Sequence, residues 1–109
     1  MMEIIDFKSS SEYFYDEKDG LKNNTVREID VKDKRFHELL KCWKEKSYPF
    51  IRINHAECCT EADKATEVRP NTLYSFLRNI QHIAVYKNLI IITWEHIVEV
   101  KENGNQSRI

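Results

Sequence analysis

Six consecutive residues, Leu89-Ile90-Ile91-Ile92-Thr93-Trp94, constrain the fold more than any other stretch of the chain. β-Branched side chains lose rotamer freedom in a helix and pack well on a pleated surface, so this run predicts a strand. Its near-continuous apolar character predicts cover on both faces and a central place in a sheet. Leu89 to Ile92 is the longest uniformly apolar run, far short of the ~20 residues that cross a bilayer. With the acidic start Met1-Met2-Glu3, which has no signal-peptide pattern, this predicts a cytoplasmic protein with no membrane partner.

The rest of the chain supplies partners for that strand. Met2 to Lys8 carries Ile4, Ile5 and Phe7 and predicts a first strand. Ser9 and Glu12 have the spacing of a capping box and predict a helix through Tyr13, Phe14 and Tyr15 that ends before Gly20 in a left-handed turn. Thr25 to Ile29 predicts a second strand. From Asp33 the period changes: Phe36, Leu39, Leu40 and Trp43 form one apolar stripe on a helix running to about Lys46. Pro49 closes that helix, and Phe50 to Asn54 predicts a third strand. His55 to Asn71 has few large apolar residues and reads as an excursion, with one helical turn near Glu61 to Thr66. Leu73 to Val85 predicts a long bent strand, and Tyr86-Lys87-Asn88 a turn. Asn103 to Ile109 reads as a frayed tail after a single domain of residues 1–102. Strands and helices without regular β-α-β alternation predict an α+β domain with a small mixed, barrel-like sheet and two main helices.

Charge and cysteine content narrow the function classes. Seventeen basic against 18 acidic residues give a formal net charge of -1, which excludes a protein whose affinity comes from neutralising many phosphates along a duplex. Three cysteines cannot all pair within one chain, and reduced thiols are expected. His55-Ala56-Glu57 reproduces the H-x-E element of zinc deaminases, but the P-C-x-x-C element that supplies two thiolates is lacking, and no metal or other cofactor is expected. Cys42 reads as a small hydrophobe on the helix stripe. Trp94 reads as core, with Glu95 and His96 reaching opposite faces at the strand end.

Gly20-Leu21-Lys22-Asn23-Asn24-Thr25-Val26-Arg27 has the form G-x-K-x-x-T-x-R between a short helix and a strand. It resembles the signature of ASCH domains, small relatives of the PUA RNA-binding barrel, usually written G-x-K-x-x-E-x-R. The whole chain also resembles short phage-encoded proteins of Gram-positive hosts, through Lys22 to Arg27 and Ile90 to His96. The resemblance implies a PUA/ASCH-like barrel with a cleft beside Gly20 to Arg27 that binds a nucleotide, modified nucleoside or RNA. Threonine in place of glutamate is the form seen in ASCH enzymes that hydrolyse N4-acetylcytidine. That carries catalytic roles to Lys22 and Thr25, with a later glutamate open among Glu57, Glu67 and Glu95. Glu95, at the end of the last strand, is the one taken into the candidate set. A lysine can take the proton of a hydroxyl when burial or a cationic neighbour lowers its pKa. Arg27 shares a strand face with Thr25 and suits a phosphate or carbonyl oxygen, while Gly20, Asn23 and Asn24 complete a ligand-binding loop. On the simpler reading Gly20 caps a helix, Lys22 and Arg27 are solvated, and Thr25 is present for its strand propensity. The phage resemblance leaves a third function, a protein that binds and modulates a host, and in particular a defence, protein.

Overall fold

The computed structural model describes residues 3–95. Along them run β1 (Ile4–Ser9), α1 (Ser11–Lys18), β2 (Asn24–Glu28), α2 (Lys34–Glu45) and β3 (Phe50–His55), followed by a 3-10 turn (Glu61–Asp63), β4 (Asn71–Thr72), β5 (Ser75–Tyr86) and β6 (Leu89–Trp94). Met2, His96, the domain end at residue 102 and the expected tail lie outside the described residues. Among the described residues no helix is long and apolar enough to cross a membrane.

The long bent strand organises the sheet. The first part of β5, Ser75 to Asn79, pairs antiparallel with β3, which pairs parallel with β1. From Ile80 onward β5 pairs instead with β6, which pairs antiparallel with β2. The register shifts between Ile80 and His82, where the change of partner takes place. A bulge sharpens the local twist, so the order β1-β3-β5-β6-β2 curls into a half-barrel rather than lying flat. β4 pairs with the first part of β5, off this path. The result is the α+β fold with two helices and a small mixed barrel-like sheet that the element pattern predicts.

The core is filled from four strands, by Ile5 and Phe7, Ile51 and Ile53, and Ile90 and Ile92 at alternate positions, and by Ile80 and Ile83, three apart across the register shift in β5. The α2 stripe closes this core with Phe36, Leu39 and Cys42 buried, and Trp43 packs against its rim. Asp33 caps α2 by accepting the Arg35 backbone N–H at 2.9 Å. At the other end Lys46 adopts a left-handed conformation, φ 55°, and its N–H donates to the Cys42 carbonyl.

Two expectations change. β6 alternates buried and half-buried residues instead of being covered on both faces, and it lies between β5 and β2, next to the sheet edge. Ile91 is there for strand propensity, while β5 takes the middle. At the start of α1 the flanking residue is Ser10, whose side chain makes no cap hydrogen bond. Ser9 remains in β1 because its partner His55 extends the ladder by one residue, and strand alternation then turns Ser9 inward after Ile5 and Phe7. A capping box forms elsewhere, between Thr60 and Asp63 on the 3-10 turn within the expected excursion.

Candidate functional site

Gly20 begins the site. With φ 89° it occupies the region a Cβ would disfavour, and it reverses the chain after α1 so that Leu21 and Lys22 both donate their N–H groups to the Asp16 carbonyl. Asn23 then anchors the loop to the end of β6. Its backbone carbonyl accepts the Trp94 N–H at 3.0 Å, and its side-chain amide donates to the Trp94 carbonyl at 3.1 Å. Asn24 opens β2, and its carbonyl accepts from Lys22 Nζ. Gly20, Asn23 and Asn24 thus shape the loop without lining the cleft beside it.

That cleft, about 430 Å³, opens where the half-barrel fails to close, between β1 and β2. Its walls include Ser9, Tyr13, Glu17, Lys22, Thr25 and Arg27. Thr25 and Arg27 share a face of β2, as period-two alternation requires, and Arg27 Nε donates to Thr25 Oγ1 at 2.9 Å. Arg27 Nη2 crosses the gap to the Lys8 carbonyl at 2.9 Å, so one guanidinium ties the two edge strands together. Lys22, Thr25 and Arg27 therefore converge on one concave surface.

Glu17 is the residue that sequence reasoning missed. It is only 2% exposed, and both carboxylate oxygens are engaged: Oε1 accepts from Ser9 Oγ at 2.8 Å and Oε2 from Lys22 Nζ at 2.8 Å. The signal was its position three residues after Phe14, on the face of α1 that is buried. Glu95 lies elsewhere. Its carboxylate accepts the Asn79 N–H at 3.2 Å and secures the β5–β6 junction, and Glu57 and Glu67 are exposed outside the cleft. The carboxylate in contact with Lys22 precedes the motif instead of following it.

The electrostatics follow from burial. Burial pulls the Arg27 guanidinium below its usual pKa, and Arg35 pushes the same way, while the Glu17 carboxylate opposes both. Thr25 Oγ1 accepts from Arg27, and among the described residues its own O–H donates to no acceptor. Tyr13 stands over Lys22 with its ring centroid 5.7 Å from Nζ and gives the cleft a flat aromatic wall. No family model, curated protein or solved structure matches the chain.

His55 belongs to a second cleft on the far side of Arg27. Its Nδ1 accepts the N–H groups of Glu57 and Cys58 at 3.2 and 3.1 Å, which places the ring proton on Nε2, 2.9 Å from Ser11 Oγ. Both ring nitrogens are used within the protein, and the ring packs among Phe14, Tyr15 and Tyr74. Its role is to hold the excursion against α1. Among the described residues no cluster of three or more His, Cys, Asp or Glu side chains could hold a metal ion.

Proposed function

We propose that the cleft between β1 and β2 binds a nucleobase-bearing ligand, a nucleotide, modified nucleoside or short RNA feature, as the ASCH resemblance implies. The observation that carries this reading is the convergence of Lys22, Thr25 and Arg27 on one concave wall. Tyr13 offers a stacking surface, Thr25 and Arg27 offer hydrogen bonds to a base edge, and the cleft volume suits one nucleoside.

A specific contact favours a second reading, an amidohydrolase of N4-acylated cytidine. Glu17 is within hydrogen-bond distance of Lys22, as a positioned acid–base pair requires. Thr25 Oγ1 would add to the acyl carbon and break its bond to N4, its proton passing to the leaving amine through Lys22 and Glu17. Water would then release the acid and restore the hydroxyl. In this scheme Glu17 takes the place assigned to Glu95.

A thermal-shift and mass-spectrometric screen of wild type and Lys22→Ala tests both. The probes are nucleosides including N4-acetylcytidine, nucleotides and short RNAs. Stabilisation of wild type alone supports the base cleft, and free cytidine in the product mixture supports hydrolysis. Silence from every probe refutes both and leaves a host-protein partner.

A further inference from the structure

Two clefts meet at a single wall. The second, about 490 Å³, is lined among others by Asp6, Phe7, Arg35, His55, Glu61 and Lys64, and only Lys8 and Arg27 line it together with the Lys22 cleft. Each carboxylate lining either cleft already has a cation: Glu17 has Lys22 at 2.8 Å, Asp6 has Arg52 at 2.8 Å, and Glu61 has Lys64 at 2.9 Å. Arg35 is held by Asp33 at 2.7 Å. Lys8 and Arg27 are left over. Among the described residues neither has a carboxylate within ion-pair distance.

The surplus is not spread over open surface. Arg27 gives its hydrogen bonds to neutral oxygens, those of Thr25, Ser9 and the Lys8 backbone, and among the described residues its Nη1 carries none. Its guanidinium lies 4.8 Å from the Phe7 ring centroid and that of Arg35 lies 4.4 Å from the same ring. Asp33 answers the Arg35 guanidinium on that ring, whereas the Arg27 guanidinium beside it has no carboxylate within ion-pair distance among the described residues. A tetrahedral oxyanion supplies the acceptors that Nη1 of Arg27 and the Lys8 ammonium lack among the described residues.

We propose that the wall shared by the two clefts, made by Lys8 and Arg27 and backed by Arg35, is a phosphoryl site. The ligand of the Lys22 cleft then carries a phosphate, as a 5′-nucleotide or an RNA phosphodiester, in preference to a free nucleoside. The identity of that ligand rests on the nucleobase reading above, whereas the anion site does not.

Calorimetric titration of the full chain with cytidine, cytidine 5′-monophosphate, a cytidine-containing dinucleotide and inorganic pyrophosphate separates the possibilities. The monophosphate is expected to bind about tenfold or more tightly than cytidine, the range of one charge-assisted hydrogen bond, and the ratio is expected to fall with added salt. Lys8→Glu brings the ratio close to one, and Lys8→Ala gives a smaller fall. Lys8 is an exposed strand residue, so both variants fold. A dinucleotide that binds more tightly than the monophosphate identifies the phosphodiester as the source. Equal affinities for cytidine and its monophosphate overturn the phosphoryl site and leave the base cleft standing. Pyrophosphate binding that Lys8→Glu abolishes, with no cytidine compound bound, upholds the phosphoryl site and overturns the nucleobase reading. Failure of every phosphate-bearing probe, or binding that Lys8→Glu does not change, refutes the proposal.

Discussion

Lys22→Ala removes the cation from a carboxylate that the fold has almost wholly withdrawn from water. Glu17 would keep the Ser9 hydroxyl and the field of Arg27 but lose its one direct ionic partner. Breaking a fully buried ion pair by deleting one member costs about 3–5 kcal/mol, whereas an exposed pair is worth about 0–1 kcal/mol. This pair is asymmetric, with side-chain exposures of 33% for Lys22 and 2% for Glu17. Water reaches the ammonium, and the expected loss lies between the limits, at about 2 kcal/mol. For a domain of this size that lowers Tm by about 10 °C and the urea midpoint by about 1 M. Glu17→Gln keeps the shape and an acceptor for Ser9 while removing the charge that needs compensation. In a double-mutant cycle with Glu17→Gln, Lys22→Ala should therefore cost about 1–2 kcal/mol less than it does in wild type. Urea unfolding of the four proteins at neutral pH measures the cycle. A loss below about 0.5 kcal/mol for Lys22→Ala, with no coupling to Glu17, would refute the claim that the cleft is built on a desolvated pair.

Acid titration tests the ion pair of Asp6 with Arg52, which joins β1 to β3. Burial raises the Asp6 carboxyl, but hydrogen bonds from Arg52 and Asn54 and the charges of Arg52 and Lys64 outweigh it, so its pKa lies below 3.8. A depressed pKa gives stability that is present above the unfolded value and is lost as pH falls through the folded one. The stability difference between wild type and Asp6→Asn is expected to be constant above about pH 5 and to shrink below about pH 4, as followed by urea unfolding across that range. A constant difference down to pH 2 contradicts the assignment. Gly20→Ala places a Cβ at φ 89° inside the loop that carries the cleft, and should cost about 1–2 kcal/mol, read as a lower thermal midpoint. An unchanged midpoint would show that the turn relaxes without cost.

Where local physics decides, the sequence is legible. The α2 stripe needs only the helical period and a capping aspartate, and both lie within twelve residues of each other. The bend of β5 is visible because Leu73 to Val85 fits neither a straight strand nor a helix well. Non-local pairing is what local patterns miss. Ser9 has the chemistry of a helix cap, yet pairing with His55 keeps it in β1 and sends its hydroxyl to Glu17. Glu17 itself is hidden by composition. Tyr13, Phe14 and Tyr15 are consecutive aromatics, so α1 shows no dominant apolar face, and a glutamate is among the residues least expected inside. Gly20, Lys22, Thr25 and Arg27 were read as a unit through the resemblance of their order and spacing to the ASCH signature. Glu95 was drawn in by its place at the end of an apolar strand, where its carboxylate instead receives a backbone N–H of β5.

The cleft follows from the way the sheet is wound. β1 and β2 stand at opposite ends of the strand order, and the curl of β5 brings these edges toward each other without a backbone ladder between them. Unpaired strand edges must be answered by side chains or water. Arg27 answers one Lys8 carbonyl across the gap, which holds the edges together while leaving room above and below its own guanidinium. The residue that closes the half-barrel is thus the one that divides its opening into two clefts. A longer ladder between β1 and β2 would remove the need for Arg27 and fill the space that Lys22 and Thr25 face. Every motif residue has a structural task here: Gly20 in the turn, Lys22 on Glu17 and the Asn24 carbonyl, and Thr25 beneath Arg27. Substituting any of them disturbs the fold and the site together, so a ligand-induced shift in such a variant is read against that variant's own melting point without ligand. Lys8 is free of that ambiguity, since among the described residues its side chain holds no ion pair and the residue borders both clefts. Its charge is the one that can be reversed to interrogate the ligand without unfastening the seam.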